Sequence, residues 1–212
     1  DPGTRRPGRL RRFPSRRLTV AHLPLPDLPV AEVFPGLRRA LDERGSAVLV
    51  APPGAGKTTL VPLALLDEPW LAGRRIVVLE PRRLATRAAA RRMADLVGPA
   101  GGGVGGIVGY QTRDERHIGA DTRIEVVTEG ILTRRLQHDP ELPGVGIVIF
   151  DEIHERNLPT DVGLAFALDV RATLRPDLRL LAMSATPYTD ALAAALGDGQ
   201  GEVPVVASEG RM

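Results

Sequence analysis

The chain has 212 residues, 25% of them charged, a formal net charge of +2 and no cysteine. That length suits one α/β domain with its own core, and the missing cysteines exclude a disulfide framework and a thiolate metal site. No run of 18 apolar residues exists and the arginine-rich N-terminus has no apolar stretch behind it, so membrane insertion and secretion are not expected and the chain reads as cytoplasmic.

Charge is unevenly placed. Residues 1–17 hold seven arginines and one aspartate, about +6, while the remainder carries about −4. Residues 1–27 read as an arginine/proline-rich arm, disordered on composition and able to touch nucleic acid nonspecifically. An extension with no role fits the same composition.

From residue 28 the pattern becomes globular. Val30 to Arg44 reads as a helix in two pieces divided by Pro35 and closed by Gly45, and 47–50 as a buried strand. A small-residue loop and a helix over 57–67 follow. Strand 75–80 leads through Pro81 into a helix over 83–97, and the glycine-rich stretch 98–106 is a loop. Residues 107–111 and 123–128 read as strands, 130–138 as a helix, and 145–150 as a strand ending in Asp151. Helix 161–174, strand 178–184, helix 188–196 and strand 203–207 complete the pattern. Strands alternating with helices, and apolar on both faces, predict a mainly parallel sheet covered on both sides. Ligands in such sheets sit at the carboxyl ends of the strands, which is where Lys57 and Asp151 fall.

Of 28 basic residues, 27 are arginine; the single lysine, Lys57, lies in Ala51-Pro-Pro-Gly-Ala-Gly-Lys-Thr58. This is a P-loop pattern. Backbone N–H groups of Gly54 through Thr59, with Pro52, Pro53 and Ala55 shaping the turn, form an anion nest, and the lysine reaches the β/γ-phosphates as a compact charge. Thr58 is the expected Mg²⁺ ligand. The general pattern opens with glycine, where this chain has Ala51. Asp151-Glu152-Ile-His-Glu-Arg156 supplies the partner: Asp151 to hold the Mg²⁺ water shell, Glu152 beside it to orient and deprotonate the attacking water.

Asp-Glu-x-His-Glu-Arg, the P-loop and Leu79-Glu-Pro-Arg-Arg-Leu84 together resemble superfamily 2 DEAH-type RNA helicases, specifically the bacterial HrpB-type branch, over about residues 28–211. The resemblance implies a RecA-like P-loop NTPase domain over 28–207, an enzyme that uses ATP and Mg²⁺, and single-stranded nucleic acid, RNA before DNA, as partner. Ala51 is an accepted variant in that branch. The resemblance further implies that Arg92 stacks on adenine, and that Pro81, Arg82, Arg83, Thr128, Glu129 and Gly130 approach the nucleic-acid backbone. Gly109-Tyr110-x-x-Arg113 matches another such segment, giving Tyr110 and Arg113, although the family's next phenylalanine is Asp114 here. Ser184, Ala185 and Thr186 match the segment that couples nucleotide state to a second lobe, with His154 as the bridge. Locally the same residues fit a helix cap, Thr186 at N-cap and Pro187 at N1. His22, His117 and His138 show no ligand spacing.

Helicases of this kind act with a second RecA-like lobe carrying arginine fingers. These 212 residues contain no Gln-x-x-Gly-Arg-x-Gly-Arg sequence, and 208–212 resemble the link leading into that lobe. A finger is worth on the order of 10³–10⁵ in rate, so this lobe alone is expected to bind nucleotide and turn over slowly. A nucleotide-binding module that does no unwinding is the second reading the residues allow.

Overall fold

The computed structural model describes residues 25–197 and 201–209. Most of the arm therefore lies outside the described residues, as do 210–212. Eight strands form one sheet: β1 (Ser46–Val50), β2 (Arg75–Leu79), β3 (Val108–Gln111), β4 (Arg116–His117), β5 (Ile124–Val127), β6 (Val145–Phe150), β7 (Arg179–Ser184) and β8 (Val205–Ala207), in the order β4-β3-β5-β2-β6-β7-β1-β8. Every pairing is parallel except β3 with β4.

The strands read as continuous apolar runs because both faces are covered. One face carries α1 (Phe34–Arg44), α2 (Lys57–Ala64) and α3 (Arg83–Val97), packing Leu37, Leu41, Leu60, Leu63 and Met93 onto Leu49, Ile76, Val78 and Ile149. The other carries α4 (Glu129–His138), α5 (Leu158–Thr173) and α6 (Asp190–Leu196), packing Leu132, Leu164, Ala167 and Leu196 onto Val48, Leu79, Val148 and Leu180. With few aromatics available, aliphatic side chains fill both layers. Among the described residues no helix is long and apolar enough to cross a membrane.

Several boundaries differ from the sequence reading. Pro35 falls in the first turn of α1, where its missing N–H has no partner to lose; the break lies before Phe34, after a 3₁₀ turn over Pro29–Val33. Helix α2 ends at Ala64, three residues short, with Pro62 inside its last turn. Helix α5 starts three residues early, because Asn157 Oδ1 accepts the Thr160 N–H at 2.9 Å and Pro159 occupies the first turn. Strand β4 was not expected: two exposed residues carry no periodicity. Leu25 packs against the core, and the Ser208 N–H donates to the Val50 carbonyl at 2.8 Å.

One buried charge fixes the layer beneath α4. Glu125, 1% exposed, accepts from Arg75 at 2.5 Å and Arg135 at 2.6 Å, and Arg135 also donates to Gln111 at 2.8 Å. Burial acts to raise the Glu125 pKa, but the two guanidiniums overcome it and hold the carboxyl below its ordinary value. A depressed carboxylate contributes stability that is present above its unfolded pKa and lost as pH falls through the lower folded one. Arg135→Ala is therefore expected to destabilise the chain by about 2 kcal/mol at pH 7, less than for a pair with no second arginine. Urea denaturation should show that difference shrinking once pH falls below about 4.

Candidate nucleotide and nucleic-acid site

Sheet order places the motifs in line. Along β2, β6, β7 and β1, neighbours in the sheet, the carboxyl ends carry Glu80, Asp151, Ser184 and the P-loop in succession. Toward the other edge β2, β5 and β3 carry Arg82–Arg83, Thr128–Gly130 and Arg113. The two halves of the upper rim meet at β2.

In the P-loop, Gly54 and Gly56 take φ of +80° and +92°, the left-handed region that turns successive N–H groups into one concavity. Gly56 caps α2, and a Cβ there would lie 2.7 Å from Leu28 Cδ1. The loop is braced from below: the Val30 N–H donates to the Ala55 carbonyl at 3.2 Å. That brace comes from residues with no motif character. The Ala51 N–H donates to the Ser184 carbonyl at 3.0 Å, tying the loop to β7; the position is fully buried, which suits alanine.

Thr58 Oγ1 donates to Asp151 Oδ2 at 2.5 Å, and Lys57 Nζ lies 2.8 Å from Glu152 Oε1. Residues 93 or more positions apart thus meet in two adjacent contacts. Lys57 is 4% exposed and Asp151 fully buried. Burial pushes Asp151 up to about 6, with the Thr58 hydrogen bond opposing it and Glu152 adding to it. Glu80 goes up to about 8, through burial and then the neighbouring Asp151. Glu152 sits at φ +51°, a strained turn that presents its side chain at the strand end while its N–H donates to Asp151 Oδ1 at 2.8 Å. Thr58 and Glu152, one member of each contact, border a cavity of about 580 Å³ lined also by Thr59, Glu80, Arg92 and His154, while Lys57 and Asp151 lie buried behind them. Glu80 is the member that motif reading assigned no chemistry, because its burial beside Asp151 arises from strand pairing.

His154 accepts from the Ala185 N–H at 3.2 Å through Nδ1, which also lies 3.4 Å from Glu152 Oε2. His154 thus lies between Glu152 and the Ser184–Thr186 segment. Ser184 Oγ accepts the Thr186 N–H at 3.0 Å and folds the strand end back on itself. Thr186 is not a helix cap: α6 starts at Asp190, with Thr189 before it, and no side-chain cap forms.

On the other half, the basic residues are held by acids. Arg82 pairs with Glu155 at 2.5 Å and Arg83 with Asp114 at 2.7 Å, both at the surface. Thr128 and Gly130 open α4 at the rim, while Glu129 accepts from Thr160 Oγ1 at 2.9 Å. Tyr110 is the correction in this set. It is 3% exposed, its hydroxyl donates to Glu115 at 2.6 Å, and its ring stacks on His117, so the side chain belongs to the sheet interior and does not face a ligand.

The sequence profile of the DEAD/DEAH box helicase family matches residues 33–194. The chain belongs to this family. It is 53% identical over 184 residues to the ATP-dependent RNA helicase HrpB of Escherichia coli K12, covering 87% of this chain and 22% of HrpB. It is 38% identical over 164 residues to the ATP-dependent RNA helicase DHX30 of Gallus gallus, covering 75% of this chain and 13% of DHX30. Two crystal structures of the Escherichia coli protein, described as a DEAH/RHA helicase and as a DExH-box NTPase, match with TM-scores of 0.78 and 0.79 at 51% and 49% identity. They cover 87% and 88% of this chain and 22% of each solved chain. The chain thus spans about a fifth of the length of its HrpB relatives, the part that carries the first helicase lobe.

Proposed function

We propose that this lobe binds Mg²⁺-ATP and hydrolyses it, and that hydrolysis drives movement along single-stranded RNA when a second RecA-like lobe is present. The paired contacts Thr58–Asp151 and Lys57–Glu152 at the mouth of one cavity carry this reading. The donor set fits Mg²⁺, which is usually held by one or two carboxylates and otherwise by phosphates and water. Thr58 and Asp151 would hold it, with Glu152 contributing partly through water, and the ion would neutralise charge on the β- and γ-phosphates. Phosphate competes with Glu152 for Lys57, so nucleotide arrival frees the carboxylate. Glu152 then takes a proton from water as the water oxygen bonds to the γ-phosphorus and the bond to the leaving ADP oxygen breaks. Arg92, which lines the cavity, would meet the base. Its guanidinium is exposed and free to stack.

The His154–Ala185 hydrogen bond would report loss of the γ-phosphate to the Ser184–Thr186 segment and so to the second lobe. The arginines at 82, 83 and 113, with Pro81 shaping the turn and Thr128–Gly130 beside them, would hold the strand through its phosphates. The arginine-rich arm, residues 1–27, would add a nonspecific electrostatic contribution, and the protein would work in the cytoplasm. Hydrolysis by the 212-residue chain is expected to be slow, because the charge at the γ-phosphate lacks an arginine finger. Adding the second lobe of an HrpB protein as a separate polypeptide should raise RNA-stimulated ATPase at least tenfold if the faces dock, against on the order of 10³ or more for a finger in place. An unchanged rate despite measured association would overturn the two-lobe account.

A further inference from the structure

Beyond β5 the sheet continues through β3 to β4, an edge strand of two exposed residues. There, beneath the rim, lies a cavity of about 440 Å³ lined among others by Gln111, Arg116, Ile131, Arg134, His138 and Leu142. It begins at the expected nucleic-acid face: the Thr128 N–H donates to the Gln111 carbonyl at 3.3 Å, and Gln111 pairs with Arg116 across β3 and β4. Arg75 and Arg135 also line it, but both are committed to Glu125. The others are not. Arg134 and His138 have no hydrogen-bond or ion-pair partner among the described residues, and Arg116 makes one long bond, 3.4 Å, to the Ile118 carbonyl. All three are exposed. Asp139 is the one further acid in the lining.

Sheet order gives these charges a direction. Basic residues follow β2 (Arg82, Arg83), the loop after β3 (Arg113) and β4 (Arg116), then Arg134 on α4, with β5 carrying Thr128–Gly130 between them. Exposed guanidiniums spaced along a path suit a polyanion. A free phosphate needs donors that converge on one point, as the P-loop amides do.

We infer that a single strand passing Arg82–Gly130 continues over the sheet edge into this groove, where Arg116 and Arg134 take further backbone phosphates. The inference rests on the reading of the rim as the nucleic-acid face. It assigns the lobe a longer strand footprint than the motif residues alone define.

The test compares the full 212-residue chain with Arg116→Gln/Arg134→Gln and with Arg82→Gln/Arg83→Gln. Each is titrated with labelled oligouridine of two lengths, one just able to span the rim and one roughly twice as long, by fluorescence anisotropy over a salt series. The arm's arginines are common to all three proteins and cancel. Arg116 and Arg134 hold no ion pair, so the circular dichroism of that variant should match the parent. The groove variant should bind the long strand about tenfold more weakly, with a log–log salt slope shallower by about 1.4 for two lost phosphate contacts at roughly 0.7 each. Its affinity for the short strand should be unchanged. Equal losses at both lengths, or no loss at either, would overturn the groove. The rim variant separates the two readings. If it alone weakens both lengths, the rim stands and the groove falls; if neither variant changes binding, the rim reading fails as well.

Discussion

Lys57→Ala is expected to abolish measurable ATP binding while leaving the fold intact. Lys57 is 4% exposed and its ammonium lies 2.8 Å from Glu152, which lines the cavity, so the charge is desolvated and held behind the cavity wall before nucleotide arrives. Truncating one member of a buried charge pair in an interface costs about 2–5 kcal/mol, which is roughly 30-fold to several thousand-fold in affinity. Two effects set the size. ATP loses the one point charge that reaches its terminal phosphates, and Glu152 loses the counter-ion that holds it beside them. Arginine would not replace it, because a planar fork is broader than an ammonium and the loop is closed around the lysine stem. Stability should change little: the side chain lies outside both apolar layers, and alanine is a good residue for the first turn of α2. Calorimetric titration beside a thermal melt checks both halves. Undiminished affinity with an unchanged melt would remove the P-loop from the nucleotide site.

Glu152→Gln should separate binding from chemistry. Glutamine keeps the shape and a carbonyl oxygen near Lys57, and Thr58–Asp151 remains to hold Mg²⁺. Only the proton acceptor is lost. General-base assistance contributes about 10²–10⁴-fold, so residual hydrolysis should fall by that order while ATP affinity stays within a few-fold. A malachite-green phosphate assay run beside the same calorimetric titration reads the two quantities. Loss of ATP binding in this variant would give Glu152 a structural role, as the partner that keeps Lys57 in place, and the assignment of the base would have to move.

The legible parts of this chain are those whose signal is local. Strands β1, β2 and β6 are apolar runs bounded by glycine, proline or charge, and each lies within a residue or two of its expected place. The P-loop and the Asp151–Glu152 pair could be found from residue type and spacing alone, because phosphate and Mg²⁺ demand those groups at strand ends. Pairings across the sequence were not legible. No local pattern says that Glu155 meets Arg82 or that Asp114 meets Arg83, yet both ion pairs form at the surface. Asp114, which departs from the family's phenylalanine, finds its place there. In the sequence Glu80 is only the last residue of an apolar run, and the neighbouring β6 buries it beside Asp151. The Tyr110 error has the same origin. The residue's place in a motif that faces nucleic acid says nothing of where the ring points, and the hairpin with β4, too short to foresee, turns it inward against His117.

The electrostatic state of the site follows from this arrangement. Lys57 and Glu152 neutralise one another, Asp151 is buried with a pKa raised to about 6, and Glu80 stays largely protonated near neutrality. A site in that state is short of positive charge for a triphosphate, so ATP should need its metal.

Calorimetric titration of ATP into the 212-residue chain, with Mg²⁺ and then with EDTA, tests the central claim most directly. One ATP per chain is expected, with affinity at least tenfold weaker once Mg²⁺ is removed and no binding to Lys57→Ala under either condition. Binding that ignores both Mg²⁺ and Lys57, or no binding by the folded chain at all, would contradict the assignment of Thr58, Asp151, Lys57 and Glu152 to one nucleotide site.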